Sequence, residues 1–184
     1  MYPDIQLSDG IILLRPPMEE DASAIYDAVI ESLSELHPWL DWATPAYDKS
    51  ATLRLLEHFQ QAWENSTAFQ FVITGLPDGE YLGSCGIDGI DHKNETCNLG
   101  YWVRTGRAGK GIASRAVRLA ARFAFQSLKL KRAEILAAAG NIASQRTAQK
   151  AGAHFEQLMK GHLVVRENLH DALLYSFTPA DFKE

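Results

Sequence analysis

The sequence predicts one domain of the α+β (mixed α/β) class, in which helices flank a central, mostly antiparallel sheet. Two patterns carry this prediction. Short strand-like runs separated by turn residues dominate, which indicates hairpins in the first half of the chain. In the second half, a long helical run lies between two strand-like runs, which is typical of a β-α-β crossover. The predicted order of elements is β-α-α-β-β-β-α-β-α-β-β.

The first half of the chain predicts one strand and two helices. An apolar run ends at a pair of prolines, and an acidic first turn then opens a helix, as the helix dipole favours. After an aromatic loop, apolar residues recur at spacings of three and four, which predicts a second helix. These elements are a strand at residues 11–15, a helix at 18–33, a loop at 36–44 and a helix at 49–65.

The second half of the chain predicts six strands and two helices. Turn residues at 75–79 and a polar loop at 91–95 separate the first three strands. Gly152 ends the second helix, and the last two strands flank a turn near Arg166. The predicted strands are 68–74, 81–87, 96–103, 132–139 and the two closing runs, and the predicted helices are 110–128 and 142–151.

Composition limits the classes of protein to which the chain can belong. It has 184 residues, of which 46% are hydrophobic, and shows no internal repeat, so we expect a single domain over residues 1–184 with its core at about 11–178. The formal net charge of −5 argues against a nucleic-acid-binding protein. No sequence pattern suggests a metal site.

The two cysteines and the hydropathy pattern bear on the compartment. Cys85 and Cys97 form no disulfide framework and no metal-binding spacing, so we expect buried free thiols. The first ten residues lack the basic and apolar regions of a signal peptide, and no run approaches the roughly 18 apolar residues of a membrane span. We therefore expect a cytoplasmic protein that contacts no membrane.

The loop at residues 104–114, RTGRAGKGIAS, carries three glycines within six residues directly before a predicted helix. A P-loop is excluded, because Arg104 stands where its first glycine should be and Gly111 where Ser or Thr should be. A dinucleotide-binding fold is disfavoured, because too few residues follow the loop to build its second half. The remaining interpretation is a loop that holds a phosphate group at a helix N-terminus.

Three segments carry a specific resemblance to a known family. YWVRTGRAGKGIA (101–113) resembles the acetyl-CoA signature of the GNAT N-acetyltransferases, whose loop runs Q/R-x-x-G-x-G/A. NIASQRTAQKAG (141–152) resembles the N-x-x-[AS]…K-x-G segment of that family, and LHPWLDWA (36–43) is similar to the WL-x-W segment of its RimJ/RimL branch, the ribosomal-protein N-terminal acetyltransferases. Together the three segments span nearly the whole chain.

The resemblance implies a GNAT-like acyl-CoA N-acyltransferase fold, with a sheet splayed at the acetyl-CoA site. It also implies direct transfer of acetyl from acetyl-CoA to a primary amine in a ternary complex, with CoA as product. The acceptor implied is the N-terminal α-amine of a protein or peptide. A small-molecule amine (polyamine, amino acid or antibiotic) and a non-catalytic acyl-CoA sensor remain alternatives, and a homodimer is left open.

The resemblance assigns most of the cofactor contacts to the glycine loop. Backbone groups at the end of the preceding strand would meet the pantetheine arm and the carbonyl, and the loop amides would hold the pyrophosphate. Ala108 departs from the usual Gln or Arg, but the amides do most of the holding. The cofactor-binding residues implied are Trp102, Val103, Arg107, Ala108, Gly109, Lys110, Gly111, Ile112, Ala113, Ser114, Asn141, Ser144 and Lys150.

The resemblance also suggests catalytic residues. Asn141 lies near the cofactor arm, and Ser144 replaces the family's Tyr as hydrogen-bond donor to the leaving thiolate, since Ala148 occupies the Tyr position. Capping of a helix by Asn141 and Ser144 is the alternative. The Glu that serves as general base in the branch corresponds to Leu163. His162 is our candidate base, because histidine is the side chain that most often serves as a general base, and Glu156 and Lys160 are further stand-ins.

The acceptor pocket is assigned to the aromatic loop. Trp39, Asp41 and Trp42 lie where the family builds this pocket, and Tyr101 lies at the adjoining strand end. Aromatic walls beside a carboxylate suit an amine. A hydrophobic plug with no role in acceptor binding is an equal alternative for the two tryptophans.

Overall fold

A computed structural model describes residues 5–182. The strands form one sheet in the order β1-β2-β3-β4-β5-β6-β8-β7. The strands are β1 Leu7–Ser8, β2 Ile12–Arg15, β3 Phe69–Gly75, β4 Tyr81–Asp91, β5 Thr96–Val103, β6 Arg132–Ala138, β7 His154–Val165 and β8 Asn168–Phe177. The helices are α1 Ala22–Glu31, α2 Leu33–Leu36, α3 Lys49–Glu64, α4 Ile112–Gln126 and α5 Ile142–Ala151, and short 3₁₀ turns lie at Glu19–Asp21, Thr105–Arg107 and Pro179–Phe182.

The structure confirms the predicted α+β class and the order of the predicted elements. It adds a two-residue strand, β1, before the first predicted strand. It also adds a one-turn helix, α2, where the sequence predicted the end of a helix and the start of a loop. The prediction ended β4 four residues too early, because the strand continues past a β-bulge to pair with β5 again. It began α4 two residues too early, because Gly111 adopts a left-handed conformation (φ +79°) before the first helical residue.

The sheet opens into a fork between β5 and β6. All neighbouring strands are antiparallel except these two, and their parallel pairing stops after Asn98↔Glu134. Beyond that point β5 pairs with β4 as far as Val103, whereas β6 pairs with β8. The two strands therefore diverge, as expected for a splayed sheet, and one side of the β5 backbone has no strand beside it.

Two apolar cores lie on opposite faces of the sheet and fix the elements around the fork. On one face α4 buries Ala116, Ala120 and Ala124 against the strands, and these small side chains let the helix lie close to the sheet. On the other face α1 and α3 bury Val29 and Leu56 against β3 and β4. Alternation along β3 explains the division, since successive strand residues point to opposite faces.

Several expectations about bulk properties can be compared with the described residues. Cys85 and Cys97 are buried free thiols, as predicted, and burial raises the pKa of each to about 12, so both stay protonated at neutral pH. Within residues 5–182, no cluster of His, Cys, Asp or Glu side chains could hold a metal ion. Among the helices of the same residues, none has the length and apolarity that a membrane crossing needs. The homodimer stays an open prediction.

Candidate active site

A cleft of about 500 Å³ opens at the fork, between the end of β5 and the first turns of α4 and α5. The cleft contains all but one of the residues predicted to bind the cofactor, and Tyr101 as well; the exception is Lys110, which is exposed outside the lining. The lining residues are Glu35, Leu36, Tyr101, Trp102, Val103, Thr105, Arg107, Ala108, Gly109, Gly111, Ile112, Ala113, Ser114, Asn141, Ala143, Ser144, Arg146, Thr147 and Lys150.

The glycine loop presents free backbone donors to this cleft. Gly109 and Gly111 both adopt left-handed conformations (φ +76° and +79°), which residues with a Cβ adopt at a cost. Among the residues described, the amides of residues 109–114 donate to no other protein group. Unpaired amides and the positive end of the α4 dipole together favour an anion at this position.

The side chains of the loop are tied back to the protein. Arg104 pairs with Glu31 through its Nε (2.9 Å) and Nη2 atoms, and Glu31 also accepts from the amide of Gly106 (2.7 Å). Arg107 donates through Nε to both carboxylate oxygens of Glu80 (3.0 and 2.9 Å). The hydrogen bond from Arg104 lowers the pKa of Glu31, so this carboxylate stays charged at neutral pH. These contacts fix the loop, and Glu80 offsets much of the charge that Arg107 was expected to add.

A row of residues on α5 supplies further polar groups. Ala143, Arg146, Thr147 and Lys150 recur at spacings of three and four, so they share the helix face that lines the cleft. Lys150 Nζ lies against the loop, 3.2 Å from where a Cβ on Gly111 would be. The sequence analysis selected only Lys150 of this row, although the helical spacing would have identified the other three.

Ser144 and Tyr101 form a hydroxyl pair in the cleft. Tyr101 Oη donates to the backbone oxygen of Ser144 (2.9 Å) and lies 3.0 Å from Ser144 Oγ. Burial raises the pKa of Tyr101 to about 12, so the phenol keeps its proton at neutral pH. The sequence analysis placed Tyr101 in the acceptor pocket, whereas its hydroxyl lies on the α5 side of β5, beside Ser144.

Asn141 caps α5. Its Oδ1 accepts a hydrogen bond from the amide of Ser144 (3.0 Å), which satisfies one free donor of the first turn. The capping alternative raised from the sequence is therefore present, and the residue also lines the cleft. Contact of Asn141 with a cofactor stays a prediction.

The three residues assigned to the acceptor pocket in the aromatic loop, Trp39, Asp41 and Trp42, lie outside the cleft lining. Trp42 packs against Trp102 of β5, with ring centroids 6.2 Å apart. Trp39 Cη2 lies 3.0 Å from where a Cβ on Gly140 would be, just after β6. The Asp41 carboxylate accepts a hydrogen bond from the amide of Arg166 (2.8 Å). Acceptor binding by these residues stays a prediction.

The candidate general bases named from the sequence lie outside the cleft lining. His162 is exposed on β7 and is absent from the cleft lining, and Lys160 is exposed on the same strand. Glu156 forms two 2.7 Å hydrogen bonds with Arg132, which lower its pKa to about 2. Leu163 pairs with His170 in the β7–β8 hairpin.

A different carboxyl group, which was not selected from the sequence, lies on β4 beside the apex of the fork and outside the cleft lining. Asp88 accepts through Oδ1 from Asn98 Nδ2 (2.9 Å), and Asn98 is the last residue of β5 that pairs with β6. Its Oδ2 lies over Gly100, 3.7 Å from where a Cβ would be. Burial raises the pKa of Asp88. The sequence feature that could have identified Asp88 is its pairing with another polar residue, Asn98, on the second strand of the same hairpin.

Comparisons with known proteins agree with this geometry. The chain is 26% identical over 174 residues to the putative ribosomal N-acetyltransferase YdaF of Bacillus subtilis (strain 168), covering 94% of this chain and 92% of that protein. It is 23% identical over 176 residues to the ribosomal-protein-serine acetyltransferase of Escherichia coli (strain K12), covering 96% and 97%. Its fold matches that of RimJ from Mycobacterium smegmatis in complex with CoA-disulfide, with a TM-score of 0.87 at 24% identity, covering 100% and 93% of the two chains.

The family follows from a match over most of the chain. The model of the acetyltransferase (GNAT) domain matches residues 12–154, so the chain belongs to the GNAT acetyltransferase family. Within that family it is an N-acetyltransferase of the RimJ/RimL-like type. The resemblance noted in the sequence is thereby confirmed at the level of family, branch and enzyme class.

Substitution of Asn141 separates its capping role from a cofactor contact. Asn141→Ala should lower the free energy of unfolding by about 1 kcal/mol, because the amide of Ser144 loses its acceptor, whereas Asn141→Asp keeps the cap and should cost almost nothing. Urea unfolding measures both. If Asn141 also contacts the cofactor, both variants bind acetyl-CoA more weakly in a calorimetric titration. Wild-type affinity in Asn141→Asp would leave the residue as a cap alone.

Proposed function

We propose that the protein transfers acetyl from acetyl-CoA directly to the N-terminal α-amine of a protein or peptide. The observation that carries the proposal is the fork itself, which places free loop amides and the Ser144–Tyr101 hydroxyl pair in one cleft beside an unpaired stretch of β5. The acceptor is taken from two relatives, which are named as a ribosomal N-acetyltransferase and a ribosomal-protein-serine acetyltransferase.

The residues present fit the phosphates and arm of acetyl-CoA. The unpaired amides of residues 109–114 suit the pyrophosphate, and Arg146 and Lys150 add positive charge at the same end of the cleft. The free edge of β5 offers backbone groups to an extended amide chain such as pantetheine. The bound thioester would supply an activated acetyl group at the fork.

The transfer requires one proton to leave the amine and one to reach the sulfur. The amine nitrogen forms a bond to the acetyl carbon, and the carbon–sulfur bond breaks. We assign Ser144 Oγ as the donor to the leaving sulfur, and the Tyr101 hydroxyl, 3.0 Å from Ser144 Oγ, as a second donor. On the opposite face of β5, Asp88 is our candidate to receive the amine proton through a water molecule, since its Oδ2 accepts a hydrogen bond from no described side chain.

An α-amine suits a site whose proton acceptor is a carboxylate. Its pKa of about 8 leaves a useful neutral fraction at pH 7, whereas a lysine amine with a pKa of about 10.4 is almost wholly protonated. A small-molecule amine and a sensor without turnover are the competing interpretations. They differ from the proposal in which acceptor, if any, supports release of CoA.

A panel of amine acceptors tests the function. We expect CoA thiol release with peptides that begin with Ser, Ala or Thr, and none with the same peptides once their N-terminus is acetylated, even when they contain an internal lysine. Polyamines, free amino acids and aminoglycosides should support little release. Turnover restricted to those small amines would show that the acceptor is a small molecule and not a peptide. Binding of acetyl-CoA without any turnover would favour a non-catalytic sensor.

Loss of the Ser144 hydroxyl should slow the chemical step. Ser144→Ala is expected to lower kcat on the order of 100-fold, because proton donation to a leaving group typically contributes at least this much. Acetyl-CoA affinity should stay near that of the wild type, since no loop amide changes. Stopped-flow turnover and equilibrium binding measure the two quantities. Equal turnover in the variant would remove Ser144 from the mechanism.

The pH dependence of turnover tests Asp88. A proton acceptor must be ionised, so kcat/KM should rise with pH through the raised pKa of Asp88 and again near pH 8 as the α-amine loses its proton. Asp88→Asn should abolish the lower rise and reduce kcat/KM at pH 7 on the order of 100-fold. The exposed Asp27→Asn serves as control. A lower rise that persists in Asp88→Asn would assign it to another group.

A further inference from the structure

The turn between β7 and β8 is strained. It consists of Arg166 and Glu167, and both adopt left-handed conformations (φ +48° and +64°) although neither is glycine. Two-residue hairpin turns of this kind normally use Asn-Gly or a similar pair. Residues held in such conformations persist only where the surroundings require them, and they are common at functional sites.

Arg166 is held by residues 37–43 of the aromatic loop, a segment that we call the strap. The Arg166 side chain donates through Nε to the oxygen of His37 (2.8 Å) and through Nη2 to the oxygens of Leu40 (3.1 Å) and Ala43 (2.7 Å). Its backbone amide donates to Asp41 Oδ1 (2.8 Å). One residue thus binds the strap at four points, across more than 120 positions of sequence.

The side chain at this position must be an arginine to make these bonds. The planar guanidinium carries five donors in a fixed fork, so it can satisfy three carbonyl oxygens that lie apart. A lysine offers one point of charge and cannot reach all three at once. The strap also closes on itself, because His37 Nδ1 lies 2.7 Å from the oxygen of Ala43.

The strap crosses the open side of the fork. Trp42 lies against Trp102 on β5, and Trp39 lies against Gly140, just beyond β6. These contacts lie on β5 and just beyond the end of β6, the two strands that diverge, so the strap bridges the two arms of the fork. Leu36, the residue before the strap, lines the cleft. Any movement of the strap therefore changes the space at the open side of the fork.

We propose that Arg166 is a positioning residue for the amine acceptor, and that it acts by holding the strap across the fork. The proposal rests on the acetyltransferase function proposed above. Trp39 and Trp42 form the wall against which the amine is placed, and aromatic faces suit an amine that arrives as a cation. The strained turn keeps the guanidinium under the strap, whereas the cofactor side of the cleft is built by α4 and α5 and does not depend on it.

Three variants test the proposal. Arg166→Ala should raise the KM for the acceptor on the order of 10-fold or more while the affinity for acetyl-CoA changes less than about twofold, because only the acceptor wall is released. Arg166→Lys should lie between Arg166→Ala and wild type. Added guanidinium at low millimolar concentration should partly restore the KM of Arg166→Ala. Glu167→Gly, in the same turn, keeps the hydrogen bonds between Arg166 and the strap and should behave like wild type.

A purely structural role would give a different result. It would weaken the binding of the acceptor and of acetyl-CoA together, in step with the folded fraction measured by thermal unfolding. Added guanidinium would not restore either. That result would overturn the proposal, as would an unchanged acceptor KM in Arg166→Ala. If the wild type prefers a small amine, the same KM comparison is made with that amine.

Hydrogen exchange provides a readout that needs no acceptor. The amides of Leu40 and Ala43 are bonded within or next to the strap, to the oxygens of Leu36 and Leu40. Arg166→Ala should exchange these amides at least about 10-fold faster and leave those of α4 unchanged, since local opening follows the contacts that hold a segment. Unchanged hydrogen-exchange rates in the strap would show that Arg166 does not hold it, even if the acetyltransferase function held. Faster exchange of the strap amides in Arg166→Ala, in a protein that shows no turnover, would support the role of Arg166 in holding the strap while the proposed function failed.

Discussion

The early end of the pairing between β5 and β6 is the constraint on which the rest of the site depends. Past Asn98↔Glu134, backbone groups on one side of β5 have no strand to bond with, although buried backbone groups are nearly always paired. The sheet therefore leaves an extended edge in its middle, where a ligand with its own amide groups fits. The cleft, the glycine loop and the strap all adjoin this edge.

Close packing keeps the fork in place. A Cβ on Gly83 would lie 2.2 Å from the oxygen of Trp102, so β4 and β5 approach more closely there than any other residue would allow. The buried alanines of α4 bring its N-terminus up to the sheet, and Glu31 ties the loop to the end of α1. The loop and the start of α4 are thus held by contacts within the protein, and such preorganisation would lower the entropic cost of binding a ligand there.

The features that could be predicted from sequence are those whose signal is local. The loop around Gly111 and the cap at Asn141 depend on neighbours a few residues away, so the local sequence indicated both, and the resemblance assigned both to the site where they line the cleft. The pairs that sequence could not supply are tertiary. Tyr101 meets Ser144 across 43 positions, and Arg166 meets the strap across more than 120. The position of His162 outside the cleft lining could not be predicted for the same reason, because no local pattern in β7 indicates its distance from β5.

In the mechanism proposed above, alternation along β5 would separate the two proton transfers that acyl transfer requires. Tyr101 points towards α5 and pairs with Ser144, whereas Asn98, Gly100 and Trp102 face the other side, with Asp88 and the strap. A donor held by α4 and α5 would thus approach β5 from one face and an amine from the other. The hydroxyl pair and the carboxylate share no hydrogen bond, so a proton cannot pass directly from one to the other. Such an arrangement suits direct transfer, because both partners can be bound at once and the strand between them keeps the two protons apart.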